Sequence, residues 1–112
     1  CMYCEDSAGT DIEHFWPKAQ YPQRAFVWDN YLLACSACNS NYKRSAFPLD
    51  RAGVPQLLDP SATDPFDHIA FVPETGRFAP LSAQGDASIE GFALNRRRVL
   101  ERGRSSTWTQ LV

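Results

Sequence analysis

Hydrophobic and polar positions alternate along this chain only in short runs, and most runs end at a proline, a glycine or an Asp-Asn pair. Asp11 to Trp16 is partly alternating and predicts a strand that stops at Pro17. Ala25 to Trp28 is apolar and aromatic; it reads as the second strand of a hairpin or the run into it, closed by a turn at Asp29-Asn30. Tyr31 to Ala34 leads into Cys35, and a helix is expected to start between Cys35 and Asn39 and run toward Pro48. Between Phe47 and Pro65 lie four prolines and two Asp-Pro steps, which predict an irregular surface wrap anchored by Leu57, Leu58 and Phe66. His68 to Val72 and Arg77 to Leu81 flank Pro73-Glu74-Thr75-Gly76 as a second hairpin. Beyond it Ile89, Phe92, Ala93, Val99 and Leu100 recur at helical spacing, with Asn95 either inside one helix or capping a second.

Composition changes this picture little. A chain of 112 residues with 44% hydrophobic and 21% charged positions is a single ordered domain with a modest core. No stretch is long and apolar enough to span a membrane, no membrane partner is expected, and no signal peptide precedes the first cysteine. Because the chain opens at Cys1 rather than Met, an upstream segment is expected to be missing. The net charge of −2 argues against a strongly basic nucleic-acid binder, but Arg96, Arg97, Arg98, Arg102 and Arg104 cluster near the end, opposed locally by Glu101 alone.

The four cysteines carry the strongest chemical signal. Cys1 and Cys4 form one C-x2-C pair and Cys35 and Cys38 another, the arrangement in which two knuckles converge four thiolates on one ion. Two disulfides or a redox dithiol are the alternatives; the redox reading lacks the strand-helix-strand context such a motif needs. A four-thiolate zinc site is closed and structural, so Zn²⁺ is expected to tie the ends of the intervening loop together. Polar Glu5 to Thr10 reads as the turn after the first knuckle. Zinc-held thiols place the protein in the cytoplasm.

The loop between the pairs holds Glu13-His14. A carboxylate suits a hard ion such as Mg²⁺ or Mn²⁺, and an imidazole suits a general base near neutrality. Neighbours on a regular strand point to opposite faces, so both serve one site only at a strand end or bulge. The bland alternative packs His14 against Phe15 or Trp16 and leaves Glu13 solvated. Asn39 and Lys43 share a helix face, which makes Asn39 the better metal ligand and aims Lys43 at a phosphate; Asn41 lies elsewhere on the helix but stays a candidate. Asn30 is either a turn residue or a side chain that bonds across the loop and fixes His14. His68 reads as a structural histidine near a turn.

In combination, C-x2-C, I-E-H-F-W-P, W-D-N-Y-L-L and A-C-S-A-C-N-S-N-Y-K resemble an HNH endonuclease with a ββα-metal core, over residues 1–48. The resemblance implies that His14 is the catalytic base, Asn30 the middle asparagine, and Asn39 the last catalytic position, with Glu13 and Asn39 holding the divalent ion. Downstream, L-L-D-P, D-P-F-D-H-I-A-F, E-T-G-R-F-A-P and L-N-R-R-R-V-L-E-R are similar to a bacterial HNH subfamily found in anti-phage defence operons, including Septu-type systems, and beside retrons.

The expectation is therefore an α+β, zinc-stapled ββα-metal domain. Residues 1–48 form its core, and residues 49–112 supply the proline-rich wrap, a β-hairpin and C-terminal helix packed on the same domain. The implied activity is hydrolysis of phosphodiester bonds in nucleic acid, with DNA the expected substrate. Lys18, Lys43, Arg44, Arg96, Arg97 and Arg98 are its expected nucleic-acid contacts. So weakly charged a domain needs an activating or targeting protein, expected to be encoded nearby. The competing class is a non-catalytic zinc-bound module that binds nucleic acid or a partner protein.

Overall fold

The computed structural model describes residues 1–6 and 8–111, so Ser7 of the expected polar turn and the terminal Val112 lie outside the described residues. It is a small mixed α and β structure with two antiparallel two-stranded sheets. Strand β1 (Asp11–His14) pairs with β2 (Tyr31–Ala34), placing Glu13 opposite Leu32 and His14 opposite Tyr31. The second strand therefore lies later than the aromatic run at Ala25 to Trp28, which forms turns and a short 3-10 segment at Trp28–Asn30. That run does not enter the core because Phe26 and Trp28 face water.

Alternation along the first hairpin decides which side is covered. Leu32 and Ala34 are buried on its inner face, whereas Ile12 and Leu33 pair across the outer face and stay exposed. A π-helix (Ala37–Lys43) follows β2 and ends at Arg44, whose φ is +52°. Such wide turns are rare and are frequently found at functional sites.

Residues 49–67 wrap the surface. Leu57 and Leu58 are buried, as expected, but Phe66 is 57% exposed and anchors nothing in the core. Side chains fix this wrap where backbone pairing is lacking: Leu58 N–H donates to Ser88 Oγ at 2.8 Å, and Gln84 donates to the Pro55 carbonyl at 2.9 Å. The second hairpin forms where alternation predicts it, as β3 (Ile69–Val72) and β4 (Arg77–Pro80). Helix α1 (Ala83–Gly91) is capped by Ser82, whose Oγ accepts from Gly85 N–H. His68 Nδ1 lies 2.8 Å from the same hydroxyl, which gives this histidine a structural place.

The helical run does break in two, with α2 covering Arg98–Leu111. Asn95 takes a different role from a cap. Its amide bonds both the N–H and the carbonyl of Phe78, adding a strand-like partner to the edge of β4. Core residues come from both halves of the chain: Tyr3, Phe15, Leu32 and Cys38 pack in one cluster with Leu57, Ile69, Ile89, Phe92, Leu94 and Leu100. No helix among the described residues is long and apolar enough to cross a membrane.

The turn of the second hairpin presses on α2. Gly76 has φ +73°, and a Cβ there would lie 2.1 Å from the Glu101 carbonyl oxygen; Gly53 has φ +80° but open space around it. Gly53→Ala should cost about 1–2 kcal/mol, the penalty of a left-handed side-chain residue. Gly76→Ala should cost clearly more, because α2 must also shift. Denaturant midpoints of the two variants check this; equal losses would show that the turn and α2 are not in close contact.

Candidate functional site

The four cysteines meet as their spacing predicts. Their sulfurs lie within 4.8 Å of one another, with Cys4, Cys35 and Cys38 buried and Cys1 half-buried. Each pair turns back on itself, so that Cys4 N–H meets Cys1 Sγ at 3.5 Å and Cys38 N–H meets Cys35 Sγ at 3.4 Å. Tetrahedral zinc with Zn–S of about 2.3 Å needs sulfurs about 3.8 Å apart. The Cys4–Cys35 separation of 3.7 Å matches that need, so the donor set fits a structural zinc. The hydrogen bond between Cys4 and Cys38 draws the Cys4 thiol down and pushes the Cys38 thiol up.

Arg97 reaches this cluster from the far end of the chain. Its Nη2 lies 3.1 Å from Cys38 Sγ and 2.7 Å from the Phe92 carbonyl, and its guanidinium sits 4.7 Å from the centre of the Tyr42 ring. Four thiolates on one Zn²⁺ leave a net charge of about −2, and a guanidinium is a suitable counter-charge. Arg97 is thus committed inward and is not free to meet a phosphate, contrary to the expectation from the arginine run. Arg96 and Arg98 are exposed, as are Lys18 and Arg44.

Glu13 and His14 are not brought to one site. The ladder of β1 runs without a bulge, so their side chains leave on opposite faces. Glu13 is 4% exposed; one carboxylate oxygen accepts from the fully buried Lys43 ammonium at 2.9 Å, and the other accepts from Tyr3 Oη. Tyr3 stays protonated to make that bond, since burial first and the Glu13 charge second push its ionisation well above the ordinary range. Lys43 also approaches the His14 carbonyl at 3.4 Å. Two of the sequence expectations change here. Lys43 is an internal counter-ion and not a phosphate contact. The place of a cation beside Glu13 is taken by the Lys43 ammonium, so the residues as folded do not fit a divalent ion there.

Asn39 lies on the strand-facing side of the π-helix, but its amide donates to Asp11 at 3.3 Å rather than turning to His14; Asn41 is exposed. The outer face of the hairpin holds a different set. His14 Nε2 is 3.0 Å from the Ala25 carbonyl oxygen, and Tyr31 Oη donates to the same oxygen at 2.7 Å. A carbonyl only accepts, so Nε2 carries the hydrogen, and neutral His14 keeps its lone pair on Nδ1. The imidazole stands edge-on to Tyr31 at 5.1 Å.

Asn30 builds the frame behind this histidine. It is 3% exposed, its Oδ1 accepts from Trp16 N–H at 2.7 Å, and its Nδ2 donates to the carbonyls of Trp16 and Arg24. The amide thereby closes the loop whose Ala25 carbonyl holds His14, which is the cross-loop bonding considered for it from sequence. Tyr31, Ala25 and Tyr3 had no place in the sequence-level site. Tyr31 was the findable one, because antiparallel pairing sets it opposite His14 once β2 is located.

With this geometry in hand, comparison with known proteins gives a consistent direction. The chain is 33% identical over 132 residues to the Septu protein PtuB of Bacillus mycoides strain KBAB4, covering 90% of this chain and 44% of that protein. It is 31% identical over 74 residues to the Septu protein PtuB of Bacillus thuringiensis, covering 62% of this chain and 27% of that protein. These relatives link the chain to the Septu proteins. It spans less than half the length of the curated relatives it matches. No family model matches, and no solved structure matches.

Two outcomes follow. Protein purified under reducing conditions should carry one zinc per chain with four sulfur ligands, as read by metal analysis and X-ray absorption; oxidised cysteine pairs without metal would refute it. Lys43→Met should destabilise the fold by about 3–5 kcal/mol by leaving the Glu13 carboxylate buried without its cation. Adding Glu13→Gln should recover much of that loss in chemical denaturation, and additive losses would show that the pair is not coupled.

Proposed function

We propose that this chain is the nucleic-acid-cleaving domain of a Septu-type anti-phage defence protein, an HNH-type endonuclease in which His14 is the general base. The observation that carries this reading is the hold on His14. Its Nε2–H is fixed by the Ala25 carbonyl, and Nδ1 is left to accept a proton. Support comes from the motif resemblance around Glu13-His14, Asn30 and Cys38-Asn39, and from similarity to one Septu protein over 90% of the chain.

In the reaction, Nδ1 of His14 takes a proton from water, and the resulting hydroxide oxygen forms a bond to the scissile phosphorus. The bond from phosphorus to the 3′ oxygen breaks in line, and the leaving oxygen takes its proton from solvent. Products carry a 5′ phosphate and a 3′ hydroxyl. Asn30 serves as a positioning residue, because it touches only backbone and holds the loop that orients the imidazole. DNA is the proposed substrate and the cytoplasm the proposed location. A net charge of −2 gives little attraction for a polyanion, so a partner encoded nearby supplies targeting or activation.

The resemblance also calls for Mg²⁺ or Mn²⁺ on Glu13 and Asn39. In this structure such an ion would have to displace Lys43 from Glu13. That internal neutralisation favours the second reading, a zinc-bound module that binds nucleic acid or a partner without cutting. Cleavage of a plasmid and of a labelled single strand, with and without Mg²⁺ or Mn²⁺, separates the two. His14→Ala should cleave about 10²–10⁴-fold more slowly while keeping its zinc and melting close to wild type. A folded His14→Ala protein that cleaves at the wild-type rate would end the assignment, and a wild type that binds nucleic acid but cleaves neither substrate would favour the module.

A further inference from the structure

We propose that Phe26 and Trp28 form a stacking platform for unpaired nucleobases beside His14, which makes single-stranded nucleic acid the substrate class of this site. The proposal rests on the reading of His14 as a base acting on nucleic acid, and it adds what that reading leaves open. Phe26 is 93% exposed and Trp28 is 82% exposed, although aromatic side chains of this size are ordinarily the main contributors to a core.

Their exposure is not that of a loose loop. The two carbonyls just before Phe26 accept four hydrogen bonds. Arg24 O takes Val27 N–H at 3.2 Å and Asn30 Nδ2 at 3.2 Å, and Ala25 O takes His14 Nε2 and Tyr31 Oη. The same backbone that orients the imidazole thus holds the two rings out in water. Trp28 meets Tyr31 edge-on at 6.2 Å, and Tyr31 meets His14 edge-on at 5.1 Å, so consecutive ring contacts join Trp28 to the base.

Charge favours nucleic acid as the occupant over a protein. The loop of residues 15–30 carries Lys18 and Arg24, both exposed, against Asp29 as its one acid. The exposed Arg44 adds a third cation beside it, since Gln20 of this loop donates to the neighbouring Ser45 carbonyl at 3.2 Å. Three cations are few for gripping a duplex by its phosphates on a chain of net charge −2. Base stacking supplies about 1–3 kcal/mol per base without regard to sequence, and it needs bases whose faces are not already covered by neighbours in a duplex.

The test is fluorescence anisotropy in divalent-free buffer with a labelled oligothymidylate, the matching oligouridylate and a duplex of the same length. Wild type should bind the single strands at least about tenfold more tightly than the duplex. Phe26→Ala and Trp28→Ala should each weaken single-strand binding by about 5–150-fold, the equivalent of one stacked base, with melting temperature and zinc content unchanged. Trp28→Phe should retain most of the affinity. Equal binding of single strands and duplex, or alanine variants that bind as wild type, would overturn the platform. So would a loss confined to the affinity for a purified protein encoded beside this one, which would make the surface a protein interface. Cleavage of the same labelled single strands, with Mg²⁺ or Mn²⁺ added, is read separately: a single-strand preference without cleavage refutes hydrolysis and keeps the platform, and cleavage without that preference does the reverse.

Discussion

Everything else in this protein is arranged around the convergence of four sulfurs from segments more than thirty residues apart. Cys1 and Cys4 stand before the first strand, and Cys35 and Cys38 follow the second, so a metal bridging them closes the hairpin at its open end. The knuckles also fix where the π-helix begins, and with it which residues face β1. Arg97 extends the same centre into the C-terminal half, because its guanidinium touches Cys38 while its neighbours lead into α2. A domain this small has little core to spare, and its two halves share one hydrophobic cluster that includes Cys4, Cys35 and Cys38.

The first hairpin then divides labour between its faces. Inward, Glu13, Lys43 and Tyr3 form a closed polar group that is satisfied within the protein. Outward, His14, Tyr31 and the Ala25 carbonyl form an open one, bordered by aromatic rings in water. Period-two alternation is sufficient to explain why adjacent residues in sequence end in such different surroundings. The chemistry of the proposed site therefore belongs to the outer face, and the inner pair belongs to folding.

Local patterns in the sequence carried much of this. The C-x2-C spacing located the cysteine cluster, and alternation around Pro73 to Gly76 located the second hairpin. Of the two readings of Ala25 to Trp28, a strand or the run into one, the structure has the run into β2, because its apolar residues do not seek cover. Phe66 departs from expectation for the same reason. The fate of Glu13 was hidden for another one: its partner Lys43 is 30 residues away, and its second donor Tyr3 comes from the first knuckle. Arg97 was equally opaque, since an arginine inside a basic run reads as a surface residue until its partner 59 residues away is known. Charge alone does not say which cation of a cluster turns inward.

The buried Glu13–Lys43 contact has a consequence for how the chain avoids mispairing. A slip of β1 by one residue would turn Glu13 outward and present Ile12 or His14 to the Lys43 ammonium. Neither can neutralise a cation enclosed without water, so the slipped arrangement is penalised far more heavily than an apolar contact would penalise it. An ion pair of modest net value to stability can in this way act as a keyed lock on strand alignment, and that alignment is what sends His14 to the outside.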